Sequence, residues 1–218
     1  MTLNEINSMF LESSLSDYCL NDTKSVIDWL DQKKNSIRVE TQQIPLNKMN
    51  GWIYDHDNIR HSSGYFFSID GIRVNTNYGV IASWEQPIIN QPEIGFLGII
   101  TKKINGILHF LLQAKIEPGN INNIQISPTL QATRSNYNRV HNGKTPLFLE
   151  YFNGEKKVNV LIDQLQSEQG GRFLRKKNRN IIIMLNDNDD VNIPDNNLWL
   201  KKYMGTKQGL LLIKNRMI

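Results

Sequence analysis

The sequence predicts an α+β fold in which a mixed β-sheet is flanked by helices. Three observations support this class. Apolar residues recur at helical spacing near the N-terminus, apolar segments flank short turn sequences in the middle of the chain, and a helix-like segment separates these strands from later ones. With 218 residues and 39% hydrophobic content, the chain can close the core of a single domain.

The N-terminal segment predicts two helices followed by a strand. The first lies within residues 3–20 and carries apolar residues at helical spacing: Leu3, Ile6, Phe10, Leu11 and Leu15. Asn21 or Asp22 caps the second, whose apolar face consists of Val26, Ile27 and Leu30. We expect both helices to pack on the body of the protein or on a second subunit. Alternation over residues 37–46 predicts the first strand. Residues 1–45 thus form an N-terminal segment and residues 46–218 the main domain.

Two dipeptides predict tight hairpins. Asp70-Gly71 separates strand-like residues 65–69 from 72–74, and the strand pattern returns at residues 80–84. Asn105-Gly106 separates residues 94–100 from 107–114 and is the strongest hairpin signal in the chain. Because both of its arms are apolar at nearly every position, they are predicted to be central strands buried on both faces.

The second half of the chain mixes helices with further strands. Residues 117–120 predict a turn, and a helix begins at Thr129 with Leu130 and Tyr137 facing inward. Gly143 and Pro146 end or interrupt this helix, and the pattern of residues 148–152 is compatible with its continuation. The remaining predicted elements are a strand at 158–165, a polar loop at 166–171, a strand at 181–185, an acidic loop at 186–197 and a final helix at 198–214.

A basic cluster precedes the strand at 181–185. It consists of Arg172, Arg175, Lys176, Lys177 and Arg179. Solvated lysines at a sheet edge discourage aggregation, and we expect that role for Lys176 and Lys177. Arg172 directly follows two glycines and is predicted to point inward.

Composition narrows the classes of function. The net charge of +4 and the isoelectric point near 9.1 suit an anionic ligand such as a nucleotide diphosphate, but not duplex nucleic acid. A single cysteine, Cys19, excludes an intrachain disulfide and a multi-cysteine zinc site, as expected in a reducing cytoplasm. The polar start and the lack of a long apolar run predict a soluble, intracellular protein without a membrane span.

Motifs for common cofactors and nucleophiles are missing from the sequence. It contains no Walker loop, GxGxxG, HExxH, GxSxG or CxxC. The four histidines do not fall at metal-ligand spacing with a carboxylate: His56, His61, His109 and His141. Lone histidines are more often hydrogen-bonded structural groups. We therefore expect neither a catalytic metal nor a cofactor.

Residues 109–151 predict a lined pocket. A buried strand at 109–112 is followed by long polar side chains that do not alternate simply with apolar ones: Gln113, Lys115, Glu117, Asn120, Gln131, Arg134, Asn136, Tyr137 and His141. Each of these residues taken alone is better explained as a surface group or a loop cap. As a set placed directly after a core strand, they indicate a binding site.

Ordered motifs in the same region resemble one known family. They are INQPEIGFLG at 89–98, HFLLQAKIEPGN at 109–120, QISPTLQATRSNYNRVH at 125–141, LEYF at 149–152, QSEQGGRF at 166–173 and RKKNRN at 175–180. Together they are similar to the NDP-hexose 2,3-dehydratases of deoxysugar biosynthesis, from about residue 46 to the C-terminus. Each motif is weak alone, but the ordered set is specific.

The resemblance implies a lyase that acts on a nucleotide-linked 4-keto-6-deoxyhexose, usually linked to dTDP. It removes the C2 hydroxyl and leaves a 3,4-diketo-2,6-dideoxy sugar. C3 is oxidised to a ketone while C2 is reduced by loss of its hydroxyl group, so the reaction needs no redox cofactor. The lack of cofactor motifs agrees with this chemistry.

Such a reaction needs a base, an acid and donors for the enolate oxygen and the diphosphate. Glu117 and Glu168 are the candidate bases, Tyr137 or His141 is the candidate acid, and Lys115 is the candidate partner of the enolate oxygen. Arg134 and Arg172 suit the diphosphate because guanidinium groups match phosphate oxygens. Five amides suit the sugar hydroxyls or the nucleobase: Gln113, Gln131, Asn136, Gln166 and Gln169. Trp84 is a candidate for stacking on the base, although a core role is equally compatible.

The family fold resembles that of the Nudix hydrolases. A Nudix enzyme carries a glutamate-rich magnesium helix where this chain has ATRSNYNRVHNGK at residues 132–144. Family members usually contain two copies of the domain and run to about twice this length. The copy matched here is the first, and we expect this single repeat to form a homodimer.

Two other functions remain open. The chain can be a non-catalytic nucleotide-sugar-binding half that regulates or completes another enzyme, although its intact motifs argue against decay. A Nudix-type nucleotide-sugar hydrolase is disfavoured, because Arg, Asn and His stand in place of the metal-binding glutamates.

Overall fold

The computed structural model describes residues 1–133 and 145–201. Within these ranges the chain forms two α-helices and two β-sheets. The smaller sheet has the order β1-β2-β3-β4: Trp52–Tyr54, Asn58–His61, Ser68–Asn75 and Ser83–Asn90. The larger sheet has the order β11-β6-β5-β10-β9, with β7 paired to β6 and β8 to β5. Its strands are β5 Phe96–Ile104, β6 Ile107–Ile116, β7 Ile124–Pro128, β8 Leu130–Ala132, β9 Asn159–Ser167, β10 Lys177–Met184 and β11 Asn197–Lys201. The predicted α+β class with a mixed sheet is confirmed.

Both N-terminal helices are present. Helix α1 spans Leu3–Leu15 and begins with a capping box between Thr2 and Glu5. Helix α2 spans Thr23–Ser36, and its cap is Asp22, which accepts a hydrogen bond of 2.7 Å from the Ser25 amide. Asn21 instead donates to the backbone oxygen of Trp199 at 2.9 Å. The helices are therefore fixed by their own caps and tied to the sheet.

Helix α1 packs on β6 through only part of its apolar surface. Met9 and Ser13 are buried, and the Ser13 hydroxyl donates to the Leu108 carbonyl at 2.7 Å. Leu3, Leu11 and Leu15 remain 59–74% exposed. The predicted packing on the body is confirmed, but these three leucines form a second, uncovered apolar surface.

The strand predicted at residues 37–46 is wrong. Residues 37–45 lie in the described part of the chain and form neither helix nor strand, and Leu46–Lys48 form a 3₁₀ turn. Ile37 and Ile44 are exposed, and Val39 is half-buried. Alternation alone does not make a strand when no neighbouring edge pairs with it.

The hairpin predicted at Asp70-Gly71 is also wrong. Strand β3 continues through both residues and pairs with β4 from Ser68 to Asn75. Gly71 does not adopt a positive φ angle, whereas Gly79 does, at 82°. The chain reverses at residues 76–82, and β4 begins at Ser83 rather than at Val80. Long-range pairing along the whole of β3 outweighs the local turn preference.

The hairpin at Asn105-Gly106 is confirmed. Its two residues have φ angles of 50° and 79°, as a tight turn between twisted strands requires. Strands β5 and β6 pair antiparallel around it, and β10 pairs parallel to β5 on the other side. Ile100 and Leu111 belong to one core cluster, and Ile99 and Leu112 to another. As predicted, these central strands are buried on both faces.

No helix begins at Thr129. Thr129 is followed by β8, which pairs with the start of β5. The Thr129 hydroxyl donates to the Leu111 carbonyl and accepts from the Ile100 amide at 2.9 Å, and these bonds fix the residue between two strands. Tyr137, the other residue predicted for the inner helix face, lies outside the described residues.

Residues 148–152 form a core plug. Phe148 has a φ angle of 68°, so the 3₁₀ turn at Leu149–Tyr151 starts independently of any preceding helix. Phe152 packs against Gly98, where an added Cβ atom would lie 2.6 Å from its ring. The segment fills the core behind β5 because Gly98 has no side chain.

The helix predicted at residues 198–214 is wrong for its first residues. Asn197–Lys201 form β11, which pairs antiparallel with β6. Trp199 and Leu200 are adjacent and both buried, one in each core cluster. Consecutive residues buried on opposite sides are typical of a central strand. Residues 202–214 of the prediction lie outside the described residues.

His109 supplies a testable property of this core. It is fully buried, its Nδ1 lies 2.8 Å from the Ile107 carbonyl, and the Leu20 amide donates to its Nε2 at 3.2 Å. Burial lowers the pKa of His109 below its ordinary 6.5, the hydrogen bond to Ile107 opposes this shift, and Lys201 adds to it. The imidazole is thus held neutral in the folded state.

We predict that acidification destabilises the protein through His109. Below pH 6.5 the unfolded chain binds a proton that the folded chain does not, so this part of the stability is complete above pH 6.5 and is lost as the pH falls. Thermal unfolding between about pH 8 and pH 5 should show a shallower loss in His109→Gln than in the wild type. The exposed His56→Gln serves as control. Equal slopes in all three proteins would contradict the prediction.

Candidate active site

A cavity of about 470 Å³ lies against the larger sheet. Its apolar floor comes from strands at the centre of the sheet: Leu97, Ile99, Leu112 and Ile182. Ile99, Leu112 and Ile182 belong to the core cluster that also contains Met9 of α1. The cavity therefore occupies the sheet face on which α1 packs. Its volume suits a small-molecule site.

Strand β10 supplies polar groups to the cavity by simple alternation. Lys176, Asn178 and Asn180 precede Ile182 at every second position, and all four line the cavity. Side chains two residues apart on a strand face the same side. None of these three polar residues was predicted to belong to the site, although the period-two pattern that leads into the apolar strand is a sequence signal for them.

Glu168 is held at the cavity by a hydrogen bond from Asn178, whose own side chain is fixed by the backbone amide of Gly95. It directly follows β9, and its Oε1 accepts a hydrogen bond of 2.5 Å from Asn178 Nδ2. The Gly95 amide in turn donates to Asn178 Oδ1 at 3.0 Å. A Cβ atom at Gly95 would lie 2.9 Å from the Ala132 oxygen and 3.2 Å from Asn178 Oδ1. Gly95 therefore lets three segments approach closely enough to orient the carboxylate.

Glu117 reaches the same cavity from another strand end. It follows β6 and is the first residue of the predicted turn. This turn is confirmed by a 3.0 Å hydrogen bond from the Asn120 amide to the backbone carbonyl of Glu117. Gln131 Nε2 donates to Glu117 Oε1 at 3.0 Å, and Lys115 Nζ lies 3.6 Å from that oxygen. Gln131 Oε1 is buried and has no hydrogen-bond partner within the described structure. It can accept a bond from a ligand hydroxyl.

Lys176 contradicts the solvated role predicted for it. The side chain is only 4% exposed, and its Nζ donates to the Glu93 carbonyl. Burial lowers the pKa of Lys176, while the charges of Glu93 and Glu168 act in the opposite direction. Lys177 is exposed, as predicted. The two lysines differ because adjacent residues of a strand face opposite sides.

Arg172 and Gln169 line the exposed side of the cavity. Their loop is tied to β4, because the Ile89 amide donates to the Arg172 carbonyl at 2.8 Å and the Leu174 amide to the Ile89 carbonyl at 2.9 Å. Gln86 Nε2 also donates to the Gly171 oxygen at 2.9 Å. Arg172 faces the cavity while it stays exposed to solvent. The smaller sheet therefore positions this part of the site.

The other predicted site residues lie elsewhere or are not described. Among described residues, those that do not line the cavity are Gln113, Lys115, Gln166 and Trp84. Gln113 donates to the Pro128 oxygen at 2.9 Å, Gln166 to Gln164 at 3.2 Å, and Trp84 to Gln86 at 2.9 Å. The remaining four lie outside the described residues: Arg134, Asn136, Tyr137 and His141.

Within residues 1–133 and 145–201, no three His, Cys, Asp or Glu side chains are grouped so that they can hold a metal ion. Over the same residues, no helix combines the length and apolar character needed to cross a membrane.

Comparison with known proteins identifies the family. The model of the NDP-hexose 2,3-dehydratase family matches residues 23–208, and the chain belongs to this family. Three relatives carry the name dTDP-4-dehydro-6-deoxy-alpha-D-glucopyranose 2,3-dehydratase. The one from Saccharopolyspora spinosa is 47% identical over 77% of this chain and 35% of its own length. The one from Amycolatopsis orientalis is 40% identical over 87% and 41%, and that from Streptomyces violaceoruber 44% over 75% and 38%.

The chain spans about two fifths of the length of these relatives. Among solved structures, an Ap4A hydrolase from C. elegans aligns with 58% of this chain and 97% of its own at 17% identity. Its TM-score of 0.33 is too low to establish a shared fold. The Nudix-like architecture stays an expectation from the family resemblance, whereas membership of the family rests on sequence.

We predict that Gly95→Ala destabilises the protein by about 1–3 kcal/mol, because the new methyl group overlaps the Ala132 oxygen. The matched control is Gly119→Ala, where the added methyl group meets open space. That control should change stability by no more than about 0.5 kcal/mol. Urea unfolding of the three proteins measures both effects. Equal stability of the Gly95 and Gly119 variants would contradict the close approach.

Proposed function

We propose that this chain catalyses the 2,3-dehydration of a nucleotide-linked 4-keto-6-deoxyhexose in deoxysugar biosynthesis. Family membership and the names of three relatives support this hydro-lyase activity. The placement of Glu117 and Glu168 supports it in the structure. These carboxylates follow two different strands, each accepts a side-chain amide, and both line the same cavity.

The chemistry needs one base and one acid. The C4 ketone acidifies the C3 proton, and a carboxylate removes it. The resulting enolate expels the C2 hydroxyl, which leaves as water after it gains a proton. The remaining enol, with its hydroxyl at C3, becomes the C3 ketone as C2 takes up a proton. The net change is loss of one water molecule, and no external oxidant or reductant is consumed.

Residues of the cavity suit the parts of this substrate. Glu117 and Glu168 are the candidates for the base, and Gln131 and Gln169 for hydrogen bonds to sugar hydroxyls. Arg172 suits the diphosphate, because its guanidinium lies at the exposed side and can form paired bonds with phosphate oxygens. Tyr137 or His141 remains our proposal for the acid, and Arg134 and Asn136 for further contacts to the nucleotide. Lys115, Gln113, Gln166 and Trp84 remain candidates of the second rank, because they do not line the cavity.

Direct assay tests the proposed reaction. The protein is incubated with dTDP-, UDP-, GDP- and CDP-linked 4-keto-6-deoxyhexoses, and loss of water is followed by mass spectrometry. Water loss from at least one of them is expected. Binding without water loss would contradict the activity and support a non-catalytic nucleotide-sugar-binding half that completes another enzyme.

We predict that one of the two variants Glu117→Gln and Glu168→Gln, the one that lacks the base, has a kcat about 10²–10⁴-fold below that of the wild type. Glutamine keeps the size of the side chain but does not accept the C3 proton. The exposed Glu155→Gln is the matched control and should retain full activity. Undiminished dehydration by either cavity variant removes that residue as base, and undiminished activity of both contradicts the site.

We also propose a homodimer in a reducing cytoplasm, with residues 1–45 as an N-terminal segment attached to the domain at 46–218. The exposed surface of α1 formed by Leu3, Leu11 and Leu15 supports self-association, because apolar side chains grouped on one helix favour contact with a partner. The single Cys19 is a free thiol, which suits a reducing compartment.

We predict a dimer in light scattering at assay concentration, which Leu11→Glu combined with Leu15→Glu converts to a monomer. Two buried carboxylates without partners oppose such an interface. The control is Val80→Glu, a change at a fully exposed apolar residue of the β3–β4 connection. A fully active monomer of the wild-type chain would contradict the dimer.

A further inference from the structure

We propose that Lys176 binds the C4 oxygen of the ketosugar and stabilises the negative charge that develops there as the C3 proton leaves. This inference rests on the proposed dehydration. It gives the role of oxyanion partner to Lys176, which directly precedes β10, and not to Lys115 in the QAKIEP motif at 113–118. A lysine in this role also fixes the orientation of the substrate. The sugar points toward the buried lysine and the diphosphate toward Arg172 at the exposed side of the same cavity.

Burial of the positively charged Lys176 costs free energy unless partners compensate its charge. The side chain of Lys176 is 4% exposed, and it lines the cavity. An ammonium group has three N–H donors. Within the described structure, the hydrogen bond to the Glu93 carbonyl uses one of them. A buried charge with unused donors is unfavourable unless an acceptor arrives. An oxygen that becomes negative during the reaction is such an acceptor.

Positive charge is distributed unevenly around the cavity. Among residues 1–133 and 145–201, two cationic side chains line it, Lys176 inside and Arg172 at the exposed side. A diphosphate is strongly hydrated and joined to a nucleoside, so the exposed cation suits it better. The buried cation then faces the sugar. A fixed charge in a water-poor site acts strongly on a developing oxyanion.

Glu168 lies beside Lys176 at the cavity. It faces the cavity, its charge acts on Lys176, and its backbone amide donates to the Lys176 carbonyl at 3.0 Å. A base must lie near the C3 proton and a cation near the adjacent C4 oxygen. The antiparallel pairing of β9 with β10 brings a carboxylate and an ammonium together at one end of the cavity. These are the two groups that enolate formation requires.

A purely structural role for Lys176 and a role as partner of the C4 oxygen predict different kinetic effects of its loss. As an anchor of the Glu93 carbonyl alone, the lysine would affect stability and substrate binding together. As the partner of the C4 oxygen, it acts mainly when charge develops. Its loss should therefore lower kcat much more than it changes KM.

The test compares Lys176→Met with Lys177→Met, which alters the exposed neighbour on the other face. We expect Lys176→Met to lower kcat by about 10²–10³-fold and to leave KM within about threefold. Lys177→Met should match the wild type. Lys176→Arg keeps the positive charge, and we expect it to recover part of the lost rate. Unchanged kcat in Lys176→Met, or no advantage of Lys176→Arg over Lys176→Met, would overturn the assignment.

A binding experiment tests the orientation without relying on activity. Isothermal titration with dTDP should give Lys176→Met the wild-type Kd within about twofold, whereas Arg172→Met should weaken binding by about tenfold or more. A larger effect of Lys176→Met than of Arg172→Met would place the diphosphate at Lys176 and overturn the orientation. Absence of water loss from every sugar nucleotide by the wild type would instead refute the proposed dehydration, and the dTDP titration would still report on the two cations.

Discussion

The parallel pairing of β5 with β10 is the interaction on which the rest of the structure depends. It joins the hairpin formed by β5 and β6 to the later strands β9 and β10, which begin more than forty residues further along the chain. Backbone hydrogen bonds from Arg179 to Phe96 onward bring the starts of both strands to the same end of the sheet. The cavity lies there, and the charged side chains that line it, Glu117, Glu168, Arg172 and Lys176, all lie directly beside β6, β9 or β10 or in the loop between β9 and β10.

Burial of the sheet on both faces makes that end of the sheet a site. One face is closed by the plug at residues 148–152 and the other by α1, which packs on β6. Gly95 and Gly98 mark two close approaches in this sheet, one to the Ala132 oxygen and the other to the Phe152 ring. Where the helix ends, the same apolar face continues as the floor of the cavity. An apolar floor with polar groups at its rim strengthens each electrostatic contact made there.

The smaller sheet contributes through its last strand. Backbone bonds between Ile89 and the segment from Arg172 to Leu174 hold the loop that carries Gln169 and Arg172. The order of polar groups in the cavity follows from this arrangement: carboxylates that accept hydrogen bonds from amides, a buried ammonium, and a guanidinium near solvent. Because these groups come from separate segments of the chain, a change far from the cavity can still displace them.

Local chemistry determined those features that depend on residues near one another in sequence. The capping box at Thr2, the turn at Asn105-Gly106 and the two-sided burial of the strands around it follow from residue type and spacing. For α2 the sequence left Asn21 and Asp22 both open as the cap, and the structure selects Asp22. The ordered motifs likewise identified the family. They also contain five candidate residues that line the cavity: Glu117, Gln131, Glu168, Gln169 and Arg172. Tertiary pairing decided the rest. Strand β3 runs through Asp70-Gly71 because β4 pairs along its whole length, and residues 37–45 stay irregular despite their alternation. Lys176 is buried and Lys177 exposed only because β10 sets which alternate side chains face the cavity, and neither residue carries that information in its own type.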